Sequence, residues 1–347
     1  MKRFALLFLA AASTMLIFNA CEPEPEIYTP TPYELEIPDS FPEPLIPADN
    51  PMTVEKVALG KKLFYDPKLS ADGTVSCASC HLPDKGFSDP RVLSEGVGGK
   101  LGRRHAMALT NIAYAQKLFW DGSLDNLEDQ ALHPIIDEVE MAADPADIIA
   151  YLNADETYID LFDKAFGAPA TILSVVRSLA SFERTLISGN SPFDRYQAGD
   201  SNAISAAAKR GWEIFNLEKS ECFHCHTGYN FTDESFQNNG LYDYAEYIAR
   251  GDAGRAEITG RQIDEHLFKT PTLRNVELTA PYMHDGSIAT LEEVIDRYAT
   301  VNSRFHPNKN DIFFVNMNLN EQDKADLVAF LKSLTDEEFA NNPAFRP

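Results

Sequence analysis

Two short stretches of this sequence carry residue types at a spacing that could do chemistry: Cys77-Ala78-Ser79-Cys80-His81 and Cys222-Phe223-His224-Cys225-His226. Both read CxxCH. Two thiols three positions apart, with an imidazole directly after them, suit covalent attachment of a c-type haem. The sulfurs form thioethers and the histidine offers a nitrogen to iron. Other uses of a CxxC pair fit less well. A thiol–disulfide redox pair belongs in a βαβ context, and no such alternation surrounds either motif. A zinc site built from both pairs would join Cys77 to Cys222, 145 positions away, and leave the histidine after each pair unexplained. Two covalently attached haem c groups are therefore expected, one on Cys77, Cys80 and His81, the other on Cys222, Cys225 and His226.

These motifs must be held by flanking elements, and the flanks repeat. Gly60-Lys61-Lys62-Leu63-Phe64 precedes the first and Gly211-Trp212-Glu213-Ile214-Phe215 the second, each within helical spacing of apolar residues. After the first motif comes Leu109-Thr110-Asn111, then Asp121-Gly122-Ser123, then Leu127-Glu128-Asp129. After the second comes Leu273-Arg274-Asn275, then Asp285-Gly286-Ser287, then Leu291-Glu292-Glu293. The offset is 164 throughout. The pattern reads as an internal duplication, with Asp-Gly-Ser as a turn leading into a helix. Further helices are expected over residues 142–166 and 172–186. A last one starts near Asn320, with Leu327, Val328, Leu331 and Leu334 as its apolar stripe. No run alternates as strands do. The expected fold is mostly α, with two cytochrome c-like haem domains: residues 52–195 and 196–347, divided in the polar stretch 191–201.

The chain has 347 residues, 44% of them hydrophobic, which suits two domains with cores. With 30 Lys and Arg against 53 Asp and Glu, its net charge is −23. That argues against binding nucleic acid and favours partners with a basic face. Met1-Lys2-Arg3 and the apolar run 4–18 form a secretory signal over residues 1–20. It ends Phe18-Asn19-Ala20-Cys21, similar to a bacterial lipobox. Cleavage before Cys21 and lipidation of that residue are expected; an ordinary signal peptide with a free cysteine is the alternative. Residues 21–51 are rich in proline and acid and read as an extended tether. The folded part then lies outside the cytoplasm, in the periplasm of a Gram-negative bacterium and anchored to a membrane by lipid.

At offset 164, Tyr298 corresponds to Pro134. Proline has no donor atom for iron, whereas tyrosine is a known haem ligand, so the two haems should differ chemically. Gln130, Glu140 and Met141 follow the first Asp-Gly-Ser turn. An amide there could orient peroxide, and a carboxyl could carry a proton between its oxygens. Acids are common on solvated faces, so spacing alone does not settle the role of Glu140. Trp120, just before the first turn, could relay electrons; core packing is the commoner use of a buried tryptophan. His284 holds the matching position before the second turn, which argues for a turn-packing role.

Taken together, the two CxxCH motifs, Phe119-Trp120-Asp121-Gly122, Pro271-Thr272-Leu273-Arg274-Asn275, Pro281-Tyr282-Met283-His284-Asp285-Gly286 and Ala325-Asp326-Leu327-Val328-Ala329-Phe330-Leu331 resemble the bacterial di-haem cytochrome c peroxidase family, which includes MauG-type enzymes. The resemblance implies that Trp120 is the tryptophan between the haems. It implies that Glu140 is the catalytic glutamate, with Gln130 in its pocket, and that Tyr298 is the distal ligand of the second haem. The position that closes the first haem with histidine in typical members is Val97 here, which implies an open first haem. The family's interdomain calcium would take the carbonyls of Thr279 and Pro281, with His105 where the family has asparagine. The activity implied is reduction of hydrogen peroxide to water, with electrons from a small donor such as a cytochrome c or a copper protein. The alternatives are MauG-like oxidation of a partner protein and a plain di-haem electron carrier.

Overall fold

The computed structural model describes residues 29–300, 304–310 and 317–347. The signal expected over residues 1–20, the lipidation expected at Cys21 and the start of the expected tether lie outside the described residues.

Each CxxCH motif follows, after a short connection, a helix that crosses a second helix at a glycine. Helix α1 (Val54–Phe64) buries Leu59, Leu63 and Phe64 against α5 (Ile172–Glu183), which buries Val175, Leu179 and Phe182. A Cβ on Gly60 would stand 1.9 Å from the Ser178 carbonyl oxygen, so only glycine permits this approach. The second half repeats the device. Helix α7 (Ala206–Phe215) crosses α11 (Glu321–Lys332), and a Cβ on Gly211 would stand 1.9 Å from the Asp326 carbonyl oxygen. Each fully buried leucine or phenylalanine at these crossings contributes about 1.5–3 kcal/mol.

A further helix closes each half. In the first it is α2 (Leu127–Ile136), capped by Asn126 and packed on α5. In the second it is α10 (Leu291–Ala299), capped by Thr290 and packed on α11. Their first residues lie 164 apart, the same offset as the matching sequence motifs. The Asp-Gly-Ser turns match as well. Leu118 pairs with Leu124 and Tyr282 with Ile288 as isolated bridges. Phe119 and Met283 take positive φ of 61° and 75°, and Gly122 and Gly286 take 67° and 65°. Asn111 and Asn275 are both left-handed, at φ 59° and 58°, and both reach Ser188 at the join between the halves.

The remaining helices are α3 (Pro145–Leu152), α4 (Glu156–Phe166), α6 (Pro192–Gln197), α8 (Tyr244–Arg250), α9 (Ala256–Thr259) and α12 (Glu337–Ala340). The strands among the described residues are β1 (Phe236–Gln237) and β2 (Phe268–Lys269), which pair antiparallel. No helix among the described residues is long and apolar enough to cross a membrane.

Three expectations change. Residues 142–166 form two helices, because Asn153 ends α3 and Asp155 caps α4. The expected division at 195/196 cuts through α6, whose Phe193 packs in the second core. The C-terminal Phe339 and Phe345 return to the first core, where both meet the Phe87 ring. Finally, from residue 29 the proline-rich segment is a strap rather than a free tether. Phe41 is buried against Tyr114, Tyr229 and Arg274, and Asn50 is buried and donates to Glu128 and to the Arg177 carbonyl.

Gly211→Ala should lower stability by about 1–3 kcal/mol, the usual cost of overpacking. Thermal melting of the haem-loaded protein would read this as a drop of roughly 2–4 °C per kcal/mol. An unchanged melt would show that the crossing has slack.

Candidate functional site

The two CxxCH segments line one cavity of about 650 Å³. Each begins as a 3₁₀ turn, Cys77–Ser79 and Cys222–His224. The first is braced by Ser76, whose N–H donates to Ser79 Oγ at 3.0 Å. The decisive contact comes next. His81 Nδ1 lies 2.8 Å from the carbonyl of Phe87, and His226 Nδ1 lies 3.0 Å from the carbonyl of Phe231. A carbonyl only accepts, so Nδ1 carries the proton and Nε2 keeps its lone pair. Both acceptor residues are left-handed, Phe87 at φ 59° and Phe231 at φ 49°, a backbone state that phenylalanine rarely adopts. Burial lowers the pKa of both imidazoles, favouring the neutral form that can ligate iron.

Cys77, Cys80, Cys222 and Cys225 form no disulfide with one another. Burial raises all four, Cys222 to about 11 and Cys225 to about 12. Such thiols are poor thiolate nucleophiles, which speaks against a thiol–disulfide exchange site. A cavity flanked at two places by a thiol pair and a ring with a free Nε2 has the donor set that two haem c groups require.

In the first half of the cavity, Gln130, Pro134 and Glu140 line the wall. Glu140 stands on the turn after α2, where the Val97 N–H donates to its carbonyl at 2.8 Å. Gly96 presses on the same turn, since a Cβ there would stand 2.0 Å from the Val139 carbonyl oxygen. By area Glu140 is exposed, yet the surface it shows borders the cavity. Desolvation by the surrounding protein, helped by the charge of Asp137, pushes its carboxyl up to about 7. Val97 packs against the first core and brings no ligand atom.

In the second half, Tyr298 projects from the last turn of α10 and accepts a hydrogen bond from Asn239 Nδ2 at 3.2 Å. Burial raises its pKa, and Cys225 and Cys222 are near enough to add to that rise. Met317 packs beside it and also lines the cavity. Trp120 lines the cavity between these regions, its Nε1–H donating to the His105 carbonyl at 2.8 Å. His284 meets Trp120 edge-on with ring centres 6.5 Å apart, so the residues preceding the two Asp-Gly-Ser turns face each other.

Thr279 and Pro281 also line the cavity, but the surroundings do not fit calcium. His105 is buried, and its Nδ1–H points at the carbonyls of Arg91 and Val92, 3.1 and 3.2 Å away. His105 thus presents an N–H to the carbonyls of Arg91 and Val92, whereas calcium needs oxygen lone pairs.

One site residue escapes the sequence reading. Glu183 is buried on α5, lines the cavity and, after burial itself, does most to raise the Cys77 thiol; its Oε2 has no hydrogen-bond partner. Burial pushes its carboxyl up to about 8. The available signal was positional: an acid four residues after Leu179 and eight after Val175 falls on the apolar stripe of its helix.

The family model for di-haem cytochrome c peroxidase matches residues 54–202. The methylamine utilization protein MauG of Methylophilus methylotrophus is 39% identical over 299 residues, covering 86% of both chains. The cytochrome c551 peroxidase of Nitrosomonas europaea is 34% identical over 299 residues, covering 85% of both. A solved MauG-like protein associated with microbial copper homeostasis superposes with a TM-score of 0.83 at 37% identity, over 90% of this chain and 98% of that one.

Two outcomes follow from the site. The folded Glu183 carboxyl holds its proton up to about 8, while the unfolded one loses it in the ordinary range. Stability from this group is therefore full in acid and drains as pH rises between those values, by at most about 1.4 kcal/mol per pH unit. Glu183→Gln should flatten that slope in thermal melts, and a slope equal to wild type would contradict the assignment. Dialysis against EGTA should leave the melt and the optical spectrum of the haem-loaded protein unchanged, because the buried His105 beside this wall offers an N–H rather than an oxygen ligand.

Proposed function

This chain belongs to the di-haem cytochrome c peroxidase family, and on that premise we propose that it reduces hydrogen peroxide to water with electrons from a small redox protein. The two haem c groups, when bound, supply electron storage and the iron chemistry that cleaves the O–O bond. The single observation that carries the proposal is the raised carboxyl of Glu140 in the wall beside the first CxxCH motif. A carboxyl with a pKa near neutrality can take a proton from one peroxide oxygen and deliver it to the other. The Gln130 amide supports peroxide by hydrogen bonding. His81 and His226 hold iron through Nε2, and their Nδ1–H bonds set the ring orientation. Cys77 and Cys80, and Cys222 and Cys225, carry the thioether links.

Trp120 lies on the route for electrons between the two halves. Support for an internal duplication comes from the matched helix starts, turns and glycine crossings. Support for an export signal and a lipid-modified Cys21 comes from the N-terminal sequence. The donor has a basic face, matched to a chain of net charge −23.

A second reading, MauG-like oxidation of a partner protein, is favoured by Tyr298. A phenolate ligand stabilises the higher charge on iron and makes strongly oxidised states easier to reach. Steady-state turnover of peroxide with a reduced cytochrome separates the two, since an enzyme devoted to protein oxidation would turn over poorly.

Glu140→Gln should cut peroxide turnover by about 10²–10⁴-fold while leaving haem content intact. Wild-type turnover should also fall as pH drops through about 7, where the carboxylate form is lost, and that limb should be absent in the variant. Turnover near wild type in Glu140→Gln would refute the role. The resting ferric protein should show one high-spin and one low-spin haem. Tyr298→Phe should change the low-spin signal alone; its survival would point to Met317 as the ligand instead.

A further inference from the structure

The aromatic cluster on the far side of Trp120 contains Tyr242, Tyr247 and Phe268, all buried. The rings form an unbroken series. Trp120 meets His284, and His284 lies 6.4 Å from the Tyr247 ring and nearly parallel to it. Tyr247 meets Tyr242 edge-on at 5.4 Å. The series ends in a phenol that has a base: Tyr242 Oη donates to Asp285 Oδ2 at 2.5 Å. Above the pair lies Arg250, half exposed, with its guanidinium 3.7 Å from the Tyr242 ring centre and 3.4 Å from Asp285.

We propose that Tyr242, hydrogen-bonded to Asp285, is a proton-coupled redox site that receives an oxidising equivalent from the haem cavity by way of Trp120 and Tyr247. The proposal rests on the peroxidase reading, because hydrogen peroxide acting at the haem is the oxidant. One electron leaves the phenol for the oxidised haem site, which is thereby reduced by one electron. The phenolic O–H bond breaks and its proton passes to Asp285 Oδ2, leaving a neutral phenoxyl radical. An electron from an external one-electron donor, with return of the proton, restores the phenol.

An oxidised phenol is a strong acid, so the hole settles where the proton has somewhere to go. That condition distinguishes the three residues. Trp120 donates to a backbone carbonyl, which is a poor base. Tyr247 Oη is buried with no hydrogen-bond partner. Only Tyr242 of the three has a carboxylate. Burial works to raise Asp285, but hydrogen bonds from Tyr242 and Ser287 hold it below the usual carboxylate range, so it is ionised and ready to accept. The first Asp-Gly-Ser turn lacks this arrangement: the matching Asp121 is bound by Arg104 at 2.5 Å, and a guanidinium has no accessible oxidised state. The Tyr242 ring also lies just beneath a single surface arginine, which suits exit of the hole toward an external donor.

The test uses the haem-loaded protein, mixed with one equivalent of hydrogen peroxide without donor, freeze-quenched and examined by electron paramagnetic resonance. Peroxide consumption is measured in the same sample. A tyrosyl radical is expected in the wild type. It should be lost in Tyr242→Phe and weakened in Asp285→Asn, which keeps the phenol but removes its base; a merely structural phenol would not respond in that way. Tyr244→Phe should retain it. Spin-trap tagging of the wild type, followed by peptide mass spectrometry, should place the adduct on Tyr242 without any variant. A radical that persists in Tyr242→Phe, or an adduct elsewhere, would overturn the proposal while leaving the peroxidase reading intact. Failure to consume peroxide at all would remove both.

Discussion

The hydrogen bond from the imidazole of each CxxCH motif to a left-handed phenylalanine carbonyl is the constraint around which the structure is arranged. A haem-ligating histidine must be neutral, must carry its proton on the nitrogen away from iron, and must not rotate. The His81–Phe87 and His226–Phe231 bonds meet the last two conditions at once, and burial of the rings meets the first. Holding a phenylalanine carbonyl at positive φ costs free energy, of the order of 1–3 kcal/mol for a strained backbone state. The packing around it offsets that cost. Phe87 is buried in the first core among Phe64, Phe339 and Phe345, and Phe231 in the second among Phe193, Phe215 and Phe330. The helix pairs that supply these rings can close tightly because a glycine stands at each crossing.

Electrostatics then separate the surroundings of the two CxxCH motifs. The first half surrounds its cavity with acids whose carboxyls are held protonated or near neutrality, Glu183 at about 8 and Glu140 at about 7. The second half presents a phenol and a thioether, Tyr298 and Met317, which can donate to iron but cannot shuttle protons near neutral pH. At the offset of 164 that relates the matching turns, Pro134 stands against Tyr298, so this pair differs where the turns agree. The halves meet through Trp120, His284 and His105, which interlock by ring contacts and by bonds to main-chain carbonyls.

Much of this was legible from residue order alone. Haem attachment is a local code of five residues, so both motifs could be read directly. Helix starts at Leu127 and Leu291 and the left-handed Asn111 and Asn275 are also local, and the constant offset of 164 exposed them in pairs. The break between α3 and α4 was legible in principle, since an Asn and a capping Asp interrupt the apolar period, but an average over 25 positions hides it.

Other features depend on partners far away in the chain. Proline-rich composition describes how a segment behaves in isolation; it does not reveal that Phe41 finds Tyr114 and Tyr229, one from each half. A domain edge drawn at a polar stretch cannot foresee Phe345 returning to the first core. Glu183 reads as one acid among 53 until α1 and the Cys77 turn remove its water. Tyr242 becomes distinctive only when folding brings Asp285, 43 positions later, within hydrogen-bond reach. Covalent chemistry and backbone turns were set by neighbours in sequence. Burial, proton affinity and the series of ring contacts from Trp120 to Tyr242 were set by tertiary packing, because each depends on which groups pack against which others.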